Sequence, residues 1–254
     1  MKISLSIKPE YETKKIIGFL KKVKRKTGIE KVVIGMSGGI DSTTAFYLLK
    51  EIYSPENIYP AILNFYPKDN NLIKKIIGEV GVPKTNVLDI SIKPMVDELE
   101  KRLLIDSKVR KGNLMARTRM IVLFDLAKKV GGLVSGTENK TEKLLGYYTR
   151  FGDSASDLEP ISHLYKTQVY ELAKYLGVPN EIIKAQPTAG LWAGQTDEKE
   201  FGFTYKEADQ VLYLHYDKKV NLEKIKRMGF KKADKIIKRS LSNRFKLLVP
   251  YKLG

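Results

Sequence analysis

Apolar residues along the first half of the chain switch repeatedly between a helical spacing and short unbroken runs. Residues 10–27 carry apolar side chains on one face, amid lysines, and Gly28 follows. This pattern predicts an amphipathic helix with a glycine stop. Residues 31–36 form a short, apolar, β-branched run, which is typical of a buried strand.

The same alternation continues to about residue 136. Further strands are predicted at 59–65, 86–90 and 133–136, and helices at 41–52, 70–80, 94–104 and 113–130. Strands separated by helices imply parallel pairing through right-handed crossovers. We therefore expect an α/β fold of Rossmann-like type, with an open, mostly parallel sheet and helices on both faces. On the long helix, we expect Leu114, Ile121, Val122 and Leu126 to be buried.

The pattern changes after Thr137. Residues 146–163 are loop-like, and residues 186–203 form a polar loop. Helices are predicted over 165–176, 204–216, 221–228 and 231–247. Since no repeat or linker interrupts the chain, we expect one domain spanning residues 1–254.

Composition narrows the class of protein. The chain has no cysteine, which excludes a disulfide framework, a thiolate zinc site and a cysteine nucleophile. It has no apolar run approaching the roughly 20 residues that cross a bilayer. The N-terminal residues also lack the pattern of a secretory signal. We expect a soluble, cytoplasmic protein that does not insert into a membrane.

The formal net charge of +17 has three interpretations. A basic surface can bind nucleic acid, a Lys-rich surface is also found in heat-adapted proteins, and a basic site can attract polyanionic small molecules. The lysines are scattered, and no aromatic-interleaved basic motif is present. Nucleic acid is therefore the least favoured partner.

The most informative segment lies between a predicted strand and a predicted helix. It contains Gly35, Met36, Ser37, Gly38, Gly39, Ile40, Asp41, Ser42 and Thr43. Adjacent glycines permit a tight turn and the close approach of a ligand. The free N–H groups and positive dipole end of the following helix suit a phosphate. Asp41 would repel that phosphate unless a cation lay between them, so it is a candidate Mg²⁺ ligand.

This segment matches neither the G-x-x-x-x-G-K-[ST] loop nor the dinucleotide-binding G-x-G-x-x-G. It resembles the S-G-G-x-D-S pyrophosphate loop of N-type ATP pyrophosphatases, which cleave ATP to AMP and pyrophosphate. An ordinary strand-turn-helix connection is the alternative, and the match directly after an apolar strand weakens it. The loop indicates the reaction type but not the substrate.

Five further segments, in family order, resemble ammonia-dependent NAD synthetases. They are residues 112–120, 136–142, 146–153, 166–170 and 187–198. The resemblance covers nearly the whole chain and implies an adenine nucleotide α-hydrolase-like fold. It also implies that the carboxylate of deamido-NAD is adenylated by ATP and then amidated by ammonia, in a homodimer.

The resemblance assigns roles to individual residues. It implies that Asp41 and Glu142 bind Mg²⁺ and act in catalysis with Lys166. It implies ATP contacts for the pyrophosphate loop (Gly35, Met36, Ser37, Gly38, Gly39, Ile40, Asp41 and Ser42) and for Thr137, Lys166 and Thr188. It implies deamido-NAD contacts for Arg117, Arg150, Asp157, Phe245 and Lys246. Phe245 departs from the family, which often has histidine there, so base stacking could persist but a ring hydrogen bond is lost.

Without the resemblance, several of these residues would have ordinary structural interpretations. A glutamate such as Glu142 or an arginine such as Arg117 is usually solvated on a helix. Lys166 differs, since a cation at the start of a helix opposes the helix dipole. Residues 190–200 are predicted to form a mobile cover that excludes water. His163 and His215 are interpreted as structural.

Two rival functions remain. The first is another adenylating enzyme, such as one that modifies tRNA; the second is a sensor that binds nucleotide without turnover. Retention of Asp41, Glu142 and Lys166 argues against the sensor. Since a glutaminase of the amidotransferase kind needs a cysteine, free ammonia or a separate partner subunit must supply the nitrogen.

Overall fold

The computed structural model describes residues 3–192, 194–251 and 253. In this part of the chain, strands β1 (Lys31–Gly35), β2 (Ile58–Asn64), β3 (Leu88–Ser91) and β4 (Gly132–Ser135) form one sheet. Its order is β3-β2-β1-β4, and every pairing is parallel, which confirms the predicted sheet. Val33 of β1, for example, pairs with Tyr59 on one side and Val134 on the other.

The direction in which successive strands are added to the sheet reverses at β1. It proceeds outward through β2 and β3 and then returns to place β4 on the other side of β1. Such a reversal leaves a crevice beyond the carboxyl ends of the two strands, where ligands bind in open α/β sheets. The segments that follow β1 and β4 therefore border the same crevice.

Helices cover both faces of the sheet. They are α1 (Pro9–Thr27), α2 (Ile40–Leu49), α3 (Asn71–Glu79), α4 (Lys93–Arg102) and α5 (Lys108–Val130). Val32 and Ile34 of β1 belong to a core built with α1, α2 and α3. Val33 belongs to the opposite core, built with α4 and α5. Burial on both faces explains why the strand is continuously apolar.

Helix ends follow local chemistry. Gly28 ends α1 in the left-handed conformation, with φ of 68°, as predicted. Helix α5 begins five residues before the predicted start at 113, because the Ser107 hydroxyl caps it by accepting from the Arg110 N–H at 3.2 Å.

The remaining helices follow β4. They are α6 (Lys140–Leu145), α7 (Lys166–Tyr175), α8 (Asn180–Lys184), α9 (Asp197–Phe201), α10 (Tyr205–Leu212), α11 (Leu222–Arg227) and α12 (Ala233–Asn243). Short turns of 3₁₀ and π helix lie between or after these helices and strands. A third core of aromatic and aliphatic side chains joins α9 to α12, with Tyr165 and Phe201 fully buried. The prediction that 186–203 is entirely loop was wrong at α9.

One prediction of burial on α5 was also wrong. Ile121 is 63% exposed. Helix α5 packs on the sheet through Met115, Leu123 and Ala127, and Ile121 points away from that stripe. Phe124 and Val109 are exposed as well, so α5 carries apolar side chains that the described chain leaves uncovered. None of the helices in the described residues has the length and apolar character needed to cross a membrane.

Candidate active site at the carboxyl edge of the sheet

The segment between β1 and α2 forms a tight, internally bonded loop. Gly38 has a φ of 79°, and a Cβ there would lie 2.9 Å from the Ile73 side chain. The Ser37 hydroxyl accepts from the Gly39 N–H at 3.2 Å and lies 3.0 Å from the Ser42 hydroxyl. The side-chain hydroxyls thus fix the loop, while the first-turn N–H groups of α2 lack intrahelical acceptors and are suited to an anion.

Three residues predicted to be catalytic meet beside this loop. The Lys166 ammonium donates to Asp41 Oδ2 at 2.5 Å and to Glu142 Oε1 at 3.1 Å. Lys166 itself is only 3% exposed. The three side chains come from the starts of α2, α6 and α7, so the fold brings together positions far apart in sequence.

Asn139 links two of these helices. Its side-chain oxygen caps α6 by accepting from the Glu142 N–H at 3.0 Å. Its amide N–H donates to Asp41 Oδ1 at 2.9 Å. Asn139 therefore orients the Asp41 carboxylate and fixes the start of the helix that carries Glu142.

Asp209, which the sequence did not single out, holds Lys166 in position. Its carboxylate accepts from the Thr141 hydroxyl at 2.5 Å, and from the Thr167 N–H and hydroxyl at 2.8 and 2.7 Å. Thr141 in turn accepts from the Lys166 backbone N–H at 2.9 Å. Asp209 is fully buried, so these bonds fix the start of α7.

The charges of the three catalytic candidates shift one another. Burial raises the pKa of Glu142 to about 7, and the charge of Asp41 adds to the shift although Lys166 opposes it. Burial would lower the pKa of Lys166, but the two carboxylates outweigh it and raise that pKa above its usual range. Lys166 therefore stays positive, and with both carboxylates ionised the group carries a net negative charge that favours another cation.

A second hydrogen-bonded group connects this centre to residues 186–196, which lie between α8 and α9. The Tyr205 hydroxyl lies 3.5 Å from Glu142 Oε1 and donates to Asp197 at 2.8 Å. Asp197 also accepts from the Tyr147 hydroxyl and the Ala189 N–H, each at 3.1 Å. Asp197 lies within residues 190–200, which are predicted to cover the site, so this stretch is tied to Glu142, and its mobility stays a prediction.

Two further proposed ATP contacts lie outside the loop between β1 and α2. Thr137 lies two residues after the end of β4 and is half-buried. Thr188 is exposed in the 186–196 segment, where its hydroxyl accepts from the Gly190 N–H at 3.1 Å. Ala193, within the same sequence block, lies outside the described residues.

Four of the five residues assigned to deamido-NAD form one cluster. The exposed Arg117 donates to the Arg150 carbonyl at 3.2 Å, and the Arg150 guanidinium lies 5.1 Å from the centre of the Phe245 ring. The Lys246 ammonium donates to the Gly146 and Tyr148 carbonyls at 2.6 and 2.9 Å. These contacts fold the C-terminal segment onto the loop after α6.

Asp157 takes a different place. Its carboxylate accepts from the Val134 N–H of β4 at 2.8 Å, which satisfies a backbone group at the edge of the sheet. Asp157 also lines a groove of about 510 Å³ beside α1. The structure does not bring it into hydrogen-bond contact with the other four residues.

Comparison with known proteins identifies the family. The NAD synthase family model matches residues 12–250. An NH3-dependent NAD+ synthetase from Fusobacterium nucleatum is 41% identical over 255 residues, which cover 98% of this chain and 96% of that protein. The chain belongs to the NAD synthase family. A relative with the same description from Thermoplasma acidophilum is 43% identical over 215 residues, with 83% and 87% coverage.

Solved structures agree with this family. An NMN synthetase from Francisella tularensis has a TM-score of 0.81 and 33% identity, covering 98% of both chains. An NH3-dependent NAD synthetase from Campylobacter jejuni, in complex with nitrate, has a TM-score of 0.81 and 28% identity, covering 98% of this chain and 100% of that one. The adenine nucleotide α-hydrolase-like fold is thereby confirmed, and neither a tRNA-modifying enzyme nor a nucleotide sensor is favoured.

Within the NAD synthase fold, the sequence-based prediction missed three ionisable groups at the carboxyl edge. Glu138 follows Thr137, is 6% exposed, and its Oε1 has no hydrogen-bond partner among the described residues. Arg119 donates to the carbonyl of Leu63 near the end of β2 at 3.0 Å. Lys68 donates to the Ser37 carbonyl at 2.7 Å. Glu138 and Lys68 follow buried strands within a few residues, and that position is the signal that could have found them. Arg119 lies in the middle of α5, so the sequence carries no such signal for it.

Proposed function

We propose that this protein is an ammonia-dependent NAD synthetase, which converts the nicotinate carboxylate of deamido-NAD to the amide at the expense of ATP. The observation that carries the proposal is the buried Lys166 between Asp41 and Glu142, beside a phosphate-binding type of loop. Relatives that bear this name match 98% of the chain at 41% identity, which supports the same activity here.

The first step joins two anions. A carboxylate oxygen of deamido-NAD attacks the α-phosphorus of ATP, the bond to the bridging oxygen breaks, and pyrophosphate leaves. The α2 N-terminus would hold phosphate oxygens, and Lys166 would neutralise the charge that develops on the leaving group. The protein accelerates this step mainly by positioning and by charge stabilisation.

The second step forms the carbon–nitrogen bond. Ammonia attacks the acyl carbon of the adenylate, AMP leaves with the bonding electron pair, and one proton is released. The relatives that match this chain are described as NH3-dependent, which supports ammonia as the nitrogen source here. Residues 190–200 would exclude water, which would otherwise hydrolyse the adenylate.

Asp41 and Glu142 fit a magnesium ion. Both present a carboxylate oxygen to one shared cation, the Lys166 ammonium. No cluster of three or more metal-ligand side chains occurs in the described residues, and Mg²⁺ bound to nucleotides needs only one or two carboxylates beside the phosphates. When bound, the ion would neutralise phosphate charge.

The deamido-NAD site is assigned to the cluster of Arg117, Arg150, Phe245 and Lys246, with Asp157 beyond it. A guanidinium can hold a phosphate or carboxylate through two parallel hydrogen bonds. We further propose a homodimer in which the exposed apolar side chains of α5, including Ile121 and Phe124, pack against a second copy. Arg117, on the same helix, would then lie near the boundary between subunits.

The decisive experiment mixes purified protein with ATP, Mg²⁺, deamido-NAD and ammonium, and measures NAD, AMP and pyrophosphate. We expect equal amounts of all three products, and no NAD without ammonium. Nicotinic acid mononucleotide serves as a competing acceptor, because one solved relative is an NMN synthetase. Faster amidation of that mononucleotide, or AMP release without either acceptor, would contradict the proposed substrate.

Asp41→Asn tests the metal assignment. The change keeps the contact shape but removes the charge, so we expect turnover to fall by about 10²–10³-fold while the fold is retained. Asp106→Asn is the matched control, since that side chain is 80% exposed and remote in sequence from the site. Normal turnover in Asp41→Asn would refute the assignment.

A further inference from the structure

The connection between β2 and α3 places a lysine directly against the loop between β1 and α2, which is suited to bind phosphate. The Lys68 ammonium donates to the Ser37 carbonyl at 2.7 Å. A Cβ added to Gly38 would lie 3.2 Å from the same ammonium. The positive charge of Lys68 therefore lies against the middle of the loop, where adjacent glycines expose the backbone.

Lys68 differs from Lys166 in its partners. Lys166 shares its charge with two carboxylates at 2.5 and 3.1 Å. In the described chain, Lys68 has no carboxylate oxygen within 4.0 Å, and its hydrogen bond goes to a neutral carbonyl. An ammonium has three donors, so two remain for a ligand.

The surroundings of Lys68 are also unfavourable to its charge. Although Lys68 is exposed as a residue, partial desolvation of its ammonium lowers its pKa, and the positive charge of Arg119 lowers it further. Arg119 is itself held at the end of β2 by its bond to the Leu63 carbonyl. Lys68 and Arg119 repel each other, and no carboxylate contacts Lys68 in the described chain. A bound anion would therefore stabilise the two positive charges.

Without Lys68, the fixed charges around the loop do not balance the negative charge of a bound triphosphate. Asp41, Glu142 and Lys166 together carry one net negative charge when ionised. The N-terminus of α2 contributes about half a positive charge. A triphosphate is strongly anionic, so a divalent cation at the two carboxylates and a further fixed cation are both needed to balance it.

We propose that Lys68 is a ligand of the ATP phosphates, a role that rests on the proposed function. The Ser37 carbonyl orients the ammonium, and its free N–H groups bind non-bridging phosphate oxygens of the nucleotide on the loop. Since its attraction grows with the phosphate charge, Lys68 favours ATP over AMP.

The experiment measures equilibrium binding of ATP with Mg²⁺, of AMP and of deamido-NAD to the full chain by calorimetry, for wild type, Lys68→Met and Lys68→Arg. We expect Lys68→Met to weaken ATP binding by about 10- to 100-fold, the range for a hydrogen bond to a charged group. AMP should lose clearly less, and deamido-NAD should be unchanged. Lys68→Arg should restore most of the ATP affinity.

Two controls separate a ligand from a structural lysine. Lys75→Met removes another lysine side chain, 72% exposed on α3, and should leave ATP binding unchanged. The loss in Lys68→Met should shrink as added salt screens charges, which a purely structural role would not produce. ATP affinity equal to wild type in Lys68→Met, or an equal loss for AMP and ATP, would overturn the inference. Failure of the wild type itself to bind ATP would instead refute the proposed function.

Discussion

Replacing Glu138 by glutamine should make the stability of the fold less dependent on pH. Glu138 is 6% exposed, and its Oε1 has no partner among the described residues. Burial raises its pKa from 4.5 to about 9, and the negative charges of Asp153 and Glu159 add to the shift. The folded protein therefore keeps a proton at this site near neutral pH, whereas the unfolded chain releases it.

The sign and size of the effect follow from linkage. Because the folded pKa is raised, the stability that Glu138 contributes is complete below about pH 4.5 and is lost as pH rises towards about 9. The loss is about 1.4 kcal/mol per pH unit. From about pH 6 to about pH 8, the free energy of unfolding of the wild type should fall by about 3 kcal/mol relative to that of Glu138→Gln. Glutamine cannot ionise and carries no such slope.

Urea unfolding at the two pH values, followed by circular dichroism, measures this difference. Glu181→Gln is the matched control, because Glu181 is exposed on α8 and its replacement reports only the loss of a surface charge. If the difference between Glu138→Gln and wild type were the same at both pH values, Glu138 would not be a buried, protonated carboxyl group.

Two further predictions concern the loop and the support of Lys166. Gly38→Ala should destabilise the fold by about 1–3 kcal/mol and weaken ATP binding, because φ is 79° and the new Cβ would meet Ile73 at 2.9 Å. Gly18→Ala, with open space in the middle of α1, should be neutral or stabilising in the same thermal unfolding assay. Asp209→Leu should cost about 3 kcal/mol and reduce turnover, since it leaves the Thr141 and Thr167 donors unpaired. Unchanged ATP affinity in Gly38→Ala, or an unchanged unfolding midpoint in Asp209→Leu, would contradict these expectations.

Where a structural signal is local, the sequence was sufficient to predict it. A β-branched strand, two glycines and an aspartate at the start of a helix specify the loop between β1 and α2, because each choice acts on its own few residues. The parallel sheet followed from alternating strands and helices. Helices α6, α8 and α9 were missed because five or six residues are too few to show a helical period.

Burial on α5 was only partly predictable. Leu114 and Ile121 are both apolar on one helix, yet Ile121 is exposed and Leu114 is packed against the core. Periodicity identifies an apolar side chain but not whether the same chain covers it. That outcome depends on which stripe of the helix meets the sheet.

The centre itself was decided by tertiary structure. The sequence supplied Asp41, Glu142 and Lys166 as candidates, but their convergence joins positions 125 and 24 residues apart. The contact of Lys68 with Ser37 and the support of Lys166 by Asp209 have no sequence motif at all. Local propensity fixes the individual helices and strands. The reversal of strand order at β1 brings the ends of distant helices and strands to one edge of the sheet, and only there do the charges of Asp41, Glu142 and Lys166 interact.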